Sequence, residues 1–321
     1  MRLDIRYLTS FSYPEAVRSS HNVLRACPMS DARQELLSYR VATTPASRVF
    51  SYVDYWGTRV DVFGIAVQHT RLEVMVEATV QTRETGPLTA CPRLASLRDP
   101  DFVGEHQEYL EPSPHTEWRE ALRRDAEIRA ANAGDDVVGA VLALHRAAAT
   151  ALSYAPGSTY VGMDVNEVFA RKTGVCQDYA HLMVAMCRSV GIPARYVSGY
   201  LPTAFGPRAK SNVNPSEVTT HAWVEVAIPG AGWWGLDPTN QQEVGASHVK
   251  IAHGRDYDDV APLRGVYHGP AAHRLEVSVK IAPHDGRAQQ LQQNGRHVPA
   301  ARKPSERVAA MQRQAQQSQQ Q

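Results

Sequence analysis

The sequence predicts an α+β protein: an N-terminal antiparallel β-sandwich-like module, then a helix packed on an antiparallel sheet. Three observations carry this. Residues 1–83 alternate apolar and polar in short stretches and show no long helical stripe. One long apolar run, beginning at Cys176, repeats at helical spacing. Strand-like stretches separated by turn residues then follow it as far as Ile281.

In the N-terminal module, Leu3, Ile5 and Tyr7 alternate with polar residues, and Phe11 and Tyr13 continue the pattern up to Pro14. Val60 and Val62 follow a turn near Trp56-Gly57. The clearest strand is Leu72–Val80, with period two throughout. Short strands with turn signals between them suit a sandwich. Cys27 and Cys91 each precede a proline and read as apolar filler or a surface thiol. Tyr52, Tyr55 and Trp56 read as ordinary sheet aromatics, with a binding face as the alternative. Residues 84–115 form a connector rich in Pro and Gly, acidic at Glu105, Glu108 and Glu111.

The core is expected over residues 116–283. A helix is predicted near 116–132. A second starts near Asp135, with Val138, Val141, Leu142 and His145 at helical spacing, and His145 reads as a partly exposed helix residue. Residues 154–160 form a loop, and Asp164-Val165-Asn166-Glu167 caps a short helix that ends before Gly174.

The chemistry begins at Thr173-Gly174-Val175-Cys176-Gln177-Asp178. Tyr179, Met183, Met186 and Val190 form one helical stripe, and Ala180, Val184 and Cys187 form its neighbour. Gly191 and Pro193 then end the pattern. Cys176 thus sits in the first turn of a helix of about four turns. The unpaired N–H groups and macrodipole of a helix start favour an anion, and a thiolate is one. The alternative is a buried structural cysteine. A nucleophile needs a base, and one follows downstream. Thr220–Val226 alternates as a strand, Ile228–Gly232 is turn material, and Trp233–Asp237 reads as the returning strand, stopped by Pro238. A hairpin centred near Pro229 places His221 opposite Asp237, with Cβ atoms about 5 Å apart. A carboxylate there orients the imidazole and stabilises its cation.

Four ordered blocks now stand out: Gly174–Leu182, Gly191–Tyr200, His221–Glu225 and Asp237–Asn240. Over roughly residues 140–270 they resemble the bacterial transglutaminase-like proteins of the papain-like thiol enzyme superfamily. The N-terminal segment resembles the β region that precedes this core in bacterial members. The resemblance implies a papain-like core and a Cys-His-Asp triad at Cys176, His221 and Asp237. It implies no single reaction, since the family includes cross-linkers, deamidases, proteases and members that have lost catalysis. Many members carry an aromatic residue upstream that steadies the oxyanion. No Trp lies between Trp118 and Cys176, so Tyr154 and Tyr160 are the candidates, beside the backbone N–H of Cys176.

Beyond the helix, Ala194–Tyr200 reads as a strand and residues 202–219 as a polar loop near the cleft entrance. His248, His253 and His268 are scattered, without ligand-like spacing. Gly254–Val260 resembles a motif found at this place in the family, either an ion-paired structural turn or a wall of the cleft. Leu275, Val277, Val279 and Ile281 mark a last strand. Residues 284–321 are rich in Gln, Ala and Arg and read as a disordered tail.

Composition bounds the rest. Lys plus Arg number 34 against 33 for Asp plus Glu, so charge argues for neither nucleic acid nor an anionic membrane. No stretch approaches the roughly 18 apolar residues of a membrane span, and the first residues lack a signal-peptide core. Cytoplasmic location is expected. Cys27, Cys91, Cys176 and Cys187 do not form a disulfide framework, and Cys176 and Cys187 lie too far apart on one helix to bridge. The expected function is thiol-dependent acyl transfer on peptide or glutamine carboxamide bonds, hydrolytic rather than cross-linking, with a peptide or protein substrate, no cofactor and no metal. The alternative is an inactive peptide-binding module. A third reading, a zinc protein using Cys176, His181 and His221, carries least weight, since His181 lies about 500° round the helix from Cys176. Asp178, about 200° away, leaves the dipole and His221 dominant at the thiol. No motif specifies an oligomeric state or an acceptor amine.

Overall fold

The computed structural model describes residues 1–202, 217–269 and 273–284. Most of the expected entrance loop, and the tail from residue 285 on, lie outside the described residues.

The chain is α+β. Its N-terminal module comprises β1 (Arg2–Leu24), β2 (Gln34–Thr44), β3 (Val49–Val53), β4 (Arg59–Ile65) and β5 (His69–Thr82). The connector carries a 3-10 turn at Leu94–Arg98, helix α1 (Pro100–His106) and a further 3-10 turn at Gln107–Tyr109. Asp99 caps α1 by accepting the Asp101 and Phe102 N–H groups. The core then runs through α2 (Glu120–Ala131), α3 (Val137–Ala151), β6 (Ser153–Tyr154), α4 (Val165–Arg171), β7 (Thr173–Gly174) and α5 (Cys176–Ser189). Strands β8 (Ala194–Pro202), β9 (Glu217–Ile228), β10 (Gly232–Asp237), β11 (Gln242–Glu243) and β12 (Val249–Gly254) follow. The described chain closes with α6 (Tyr257–Val260), β13 (Leu263–His268) and β14 (Arg274–Pro283). Asp136 and Asp164 cap α3 and α4 with their carboxylates.

β1 organises the sheet. Its first half pairs antiparallel with β5 on one side and β14 on the other, Tyr7 facing both Val76 and Val279. The β1–β5 register shifts between Ser12 and Val17, around Pro14, which has no N–H to give a ladder. The second half pairs instead with β4 and β13. β14, at the far end of the described chain, also pairs with β9. The N-terminal module and the core therefore share one continuous sheet.

α5 is covered on all sides: every residue from Cys176 to Arg188 is buried, including Gln177, Asp178, His181 and Arg188. It packs on β9 and β8 and is covered by α2, α3 and α4. The two apolar stripes describe only the larger part of its contact surface. Gly191, at φ 79°, lies just past its end.

The hairpin corrects the predicted register. Ile228 pairs with Gly232 and Val224 with Leu236, so one further step sets Asp237 opposite Trp223 rather than His221. The turn centres on Gly230, one residue later than expected. Pro229 and Gly230 (φ 76°) make the bend, closed by the Ala231 N–H on the Ile228 carbonyl. The resulting slip is two residues. An even slip keeps His221 and Asp237 on one side of the hairpin, as diagonal neighbours.

Candidate active site

Cys176 is the first residue of α5 and is 9% exposed. The turn before it is built by Asp178, whose Oδ2 accepts the Val175 N–H at 2.7 Å and the Thr159 hydroxyl at 2.6 Å. A carboxylate at the third helical position reaching back to the cap is half of a capping box. It also faces Gly174: a Cβ there would lie 2.7 Å from Asp178 Cβ, so only glycine fits. Burial pushes the Asp178 carboxyl up to about 6, against the pull of its two hydrogen bonds. This side chain is committed to the helix start.

β7 pairs in parallel with β6 and sets Tyr154 beside Gly174, two residues from the thiol. Tyr160 is 42% exposed. Of the two aromatic candidates, Tyr154 is the one built into the helix start.

His221, on β9, faces Gly199 of β8 and is 7% exposed. Its Nε2 lies 2.7 Å from Asp237 Oδ2. That leaves Nδ1 for the sulfur. Burial would lower the imidazole, but the charge and hydrogen bond of Asp237, then the hydrogen bond and charge of Cys176, outweigh it. The ring is pushed up to about 10. Burial works against Asp237 as an anion too, yet His221 and then His248 hold its carboxyl well below the usual range. The predicted set of Cys176, His221 and Asp237 is thus brought together by a helix start, a strand and the end of the next strand.

Asp237 is fully buried, and both its oxygens are occupied. Oδ1 accepts the backbone N–H groups of Thr239 and Asn240, at 3.0 and 3.1 Å. Oδ2 also accepts Asn240 Nδ2 at 2.8 Å and lies 3.3 Å from His248 Nε2. The Asp237-Pro238-Thr239-Asn240 turn thereby supplies its own donors. His248, read from the sequence as one of three scattered histidines, lies eleven residues downstream of Asp237, and only the fold of β10–β12 returns it. His145, expected to be partly exposed, is buried, and its ring hydrogen-bonds the backbone of Asp237.

His221, Asp237 and His248 place ligand-type atoms within 4.8 Å of one another. Contacts of 2.7 and 3.3 Å to one shared oxygen are hydrogen-bond distances, and nearness alone does not make a metal site. His181 belongs elsewhere. Its Nε2 accepts the Tyr257 N–H, and its ring lies between His115 and Tyr196, at 5.2 and 4.8 Å. Burial holds it well below the ordinary imidazole range.

The Gly254–Val260 segment is an ion-paired structural turn, and the cavity that it borders is lined by none of Cys176, His221 and Asp237. Asp259 pairs with Arg255, while Asp256 caps α6 and accepts the His115 N–H. Tyr257 and Asp258 also line a cavity of about 830 Å³ whose other wall is β1, β4 and β13. Tyr55 and Trp56 sit in a turn rather than a strand, because the Asp54 carboxylate accepts the Trp56 and Thr58 N–H groups. With Tyr109 and the connector glutamates they wall a second cavity, of about 740 Å³. All four cysteines are free. Among the described residues, no helix is long and apolar enough to cross a membrane.

Comparison with known proteins agrees with this architecture. Residues 125–238 match the transglutaminase-like superfamily, and residues 3–81 match the bacterial transglutaminase-like N-terminal region. An uncharacterised protein of Mycobacterium leprae (strain TN) is 36% identical over 281 residues, covering 87% of this chain and 98% of that one. A protein-glutamine gamma-glutamyltransferase of Pseudomonas aeruginosa is 39% identical over 74 residues, 23% of this chain and 11% of that protein. A crystal structure described as a "Putative Cysteine Protease" from Cytophaga hutchinsonii superposes with a TM-score of 0.69 at 25% identity, over 89% of this chain and 91% of that one. The chain therefore belongs to the transglutaminase-like superfamily and carries the bacterial transglutaminase-like N-terminal region ahead of the core.

Proposed function

We propose that this protein is a thiol-dependent acyl-transfer enzyme acting on peptide or glutamine carboxamide bonds. The observation that carries the reading is the His221–Asp237 bond of 2.7 Å in a buried site, with the other imidazole nitrogen left for a cysteine at a helix start. His221 takes the thiol proton to give a thiolate–imidazolium pair, and the Cys176 sulfur then attacks the carbonyl carbon. The tetrahedral intermediate collapses, His221 protonates the departing amine, and a thioester remains. Water, deprotonated by His221, then adds to the thioester and releases the acid with the thiol restored. Asp237 holds the ring and stabilises its cation throughout. The first-turn N–H groups of α5, with Tyr154 beside them, are the oxyanion donors in this scheme.

We favour hydrolysis over cross-linking. The Cytophaga protein named as a cysteine protease is similar over most of both chains, whereas the glutamyltransferase is similar over 74 residues. A peptide or protein substrate follows from the same reading. Four free cysteines, three of them buried, suit the reducing cytoplasm.

The test combines limiting iodoacetamide with a panel of glutamine-containing peptides. Cys176 is expected to alkylate ahead of Cys91, although Cys91 is the exposed one. Mass spectrometry of the peptides, with and without a primary amine, is expected to show a cut chain or a gain of one mass unit. An amine adduct would favour cross-linking. Asp237→Asn is expected to cost about 10⁴ in turnover with the fold kept. Equal labelling of Cys91 and Cys176 would favour the inactive binding module.

A further inference from the structure

We propose that His248 is a positioning residue for this site: its Nε2–H is a donor on Asp237 that limits the charge the carboxylate presents to His221, and the N-terminal module holds it in that role. The proposal rests on the acyl-transfer reading above.

The tautomer follows from the bonds. The Gly245 N–H points at His248 Nδ1 at 3.2 Å, so Nδ1 is the acceptor and the proton sits on Nε2. That proton faces Asp237 Oδ2 at 3.3 Å, the same oxygen that holds His221 and Asn240. Burial outweighs Asp237 and keeps His248 below the ordinary imidazole range, hence a neutral donor. The Trp223 ring meets it edge-on at 5.3 Å. The groups acting on the cluster are Cys176 from α5, His221 from β9, Asp237 from the end of β10, His145 from α3 and Arg33 from the β1–β2 loop.

Arg33 ties this to the N-terminal module. Its guanidinium donates to the Val244 and Gly245 carbonyls, at 3.1 and 3.3 Å, and so holds the turn whose N–H selects the tautomer. Next to it, Gln34 bonds both backbone groups of Lys250 on β12. A connected set of hydrogen bonds thus runs from Arg33 through Gly245 and His248 to Asp237 and His221.

Each donor on Oδ2 draws charge away from its bond to His221. Removing one leaves the imidazolium better stabilised and more reluctant to release its proton to a leaving amine. The rate of Cys176 alkylation by iodoacetamide, followed against pH in the full chain, reports the two apparent pKa values of the thiolate–imidazolium pair. His248→Phe keeps the ring and removes both bonds. It is expected to widen the interval between those values by roughly half a unit or more. His248→Gln, whose amide reaches the same place, is expected to restore the wild-type interval. Arg33→Met is expected to widen it in part, and it carries the test if His248→Phe does not fold. An interval that narrows or stays fixed in the folded variants overturns the proposal, as does a Gln variant that behaves like Phe. If His221→Ala leaves the wild-type profile unchanged, the acyl-transfer reading itself fails, and that outcome is distinct.

Discussion

Asp237 and Asp178 are both buried carboxyls near one thiol, yet their surroundings push them in opposite directions. Asp237 gains from His221 and His248 and is held low, so it contributes stability above the unfolded carboxyl pKa and loses it as pH falls. Asp178 is dominated by burial and rises to about 6, so its contribution is present in acid and lost as pH rises through that value. His221, pushed up to about 10, contributes fully below about pH 6.5 and loses that contribution as pH rises through about 10. The expected result is a melting temperature that falls between about pH 6.5 and 10 in the wild type. Asp237→Asn should flatten that fall, because the charge that raises His221 is gone. Calorimetry of both proteins across this window checks it; parallel curves would mean that the pair adds nothing to stability. These assignments were only partly legible beforehand. Cys176, His221 and Asp237 carry local motifs, whereas His248 and His145 have none and become visible only through their bonds to Asp237.

At the scale of elements, two local arrangements decide where the chemistry sits. The first is the β9–β10 hairpin, whose register came out two residues from expectation. The Pro229-Gly230 turn was legible, but its centre lay one residue further on. The pairing survives because the slip is even and the diagonal neighbour is still within reach. The second is the start of α5, where Gly174, Thr159 and Asp178 interlock. Gly174→Ala would place a Cβ 2.7 Å from Asp178 Cβ, while that side chain is pinned by the Val175 N–H and Thr159. Relief requires the cap to move, at about 1–3 kcal/mol. The variant is expected to melt several degrees lower and to alkylate Cys176 more slowly, with Cys91 unaffected. Thermal melts and peptide mapping measure both. Unchanged Cys176 labelling would show that the first turn tolerates the shift.

For the whole molecule, the continuous sheet matters more than the boundary near residue 83. β14 lies between β1 and β9, and the loop at Met29–Gln34 is bonded to Lys250 on β12. The N-terminal module is therefore part of what holds the core strands. One cooperative unfolding transition is expected for the intact chain. A chain that starts at residue 84 should lose it, since β14 would then lack its ten-residue partner on β1. A chain ended before Arg274 should fail for the same reason. Ending it after His284 should leave the melting temperature nearly unchanged, because the residues beyond are poor in apolar side chains. Two separate transitions, or a chain from residue 84 that melts cooperatively, would refute this view.

The sequence by itself determined the α+β class, the helix that begins at Cys176 and its ends, the β9–turn–β10 hairpin and the three residues, Cys176, His221 and Asp237, on which the proposed chemistry rests. Each of these is written in local periodicity, in a turn or cap residue, or in a short motif, and such signals act over a few residues. Tertiary structure alone decided which groups surround them. It buried α5 on every side, because sheet and helices close over it together. It turned Tyr55 and Trp56 into a cavity wall, because the connector folds back against them. It returned His248 to Asp237 from eleven residues downstream, and it brought Arg33 to the turn beside His248 across more than two hundred residues of chain, as in the Arg33–Val244 bond. Hydrogen bonds between distant segments depend on where the sheet places its strands, and no local pattern encodes that placement.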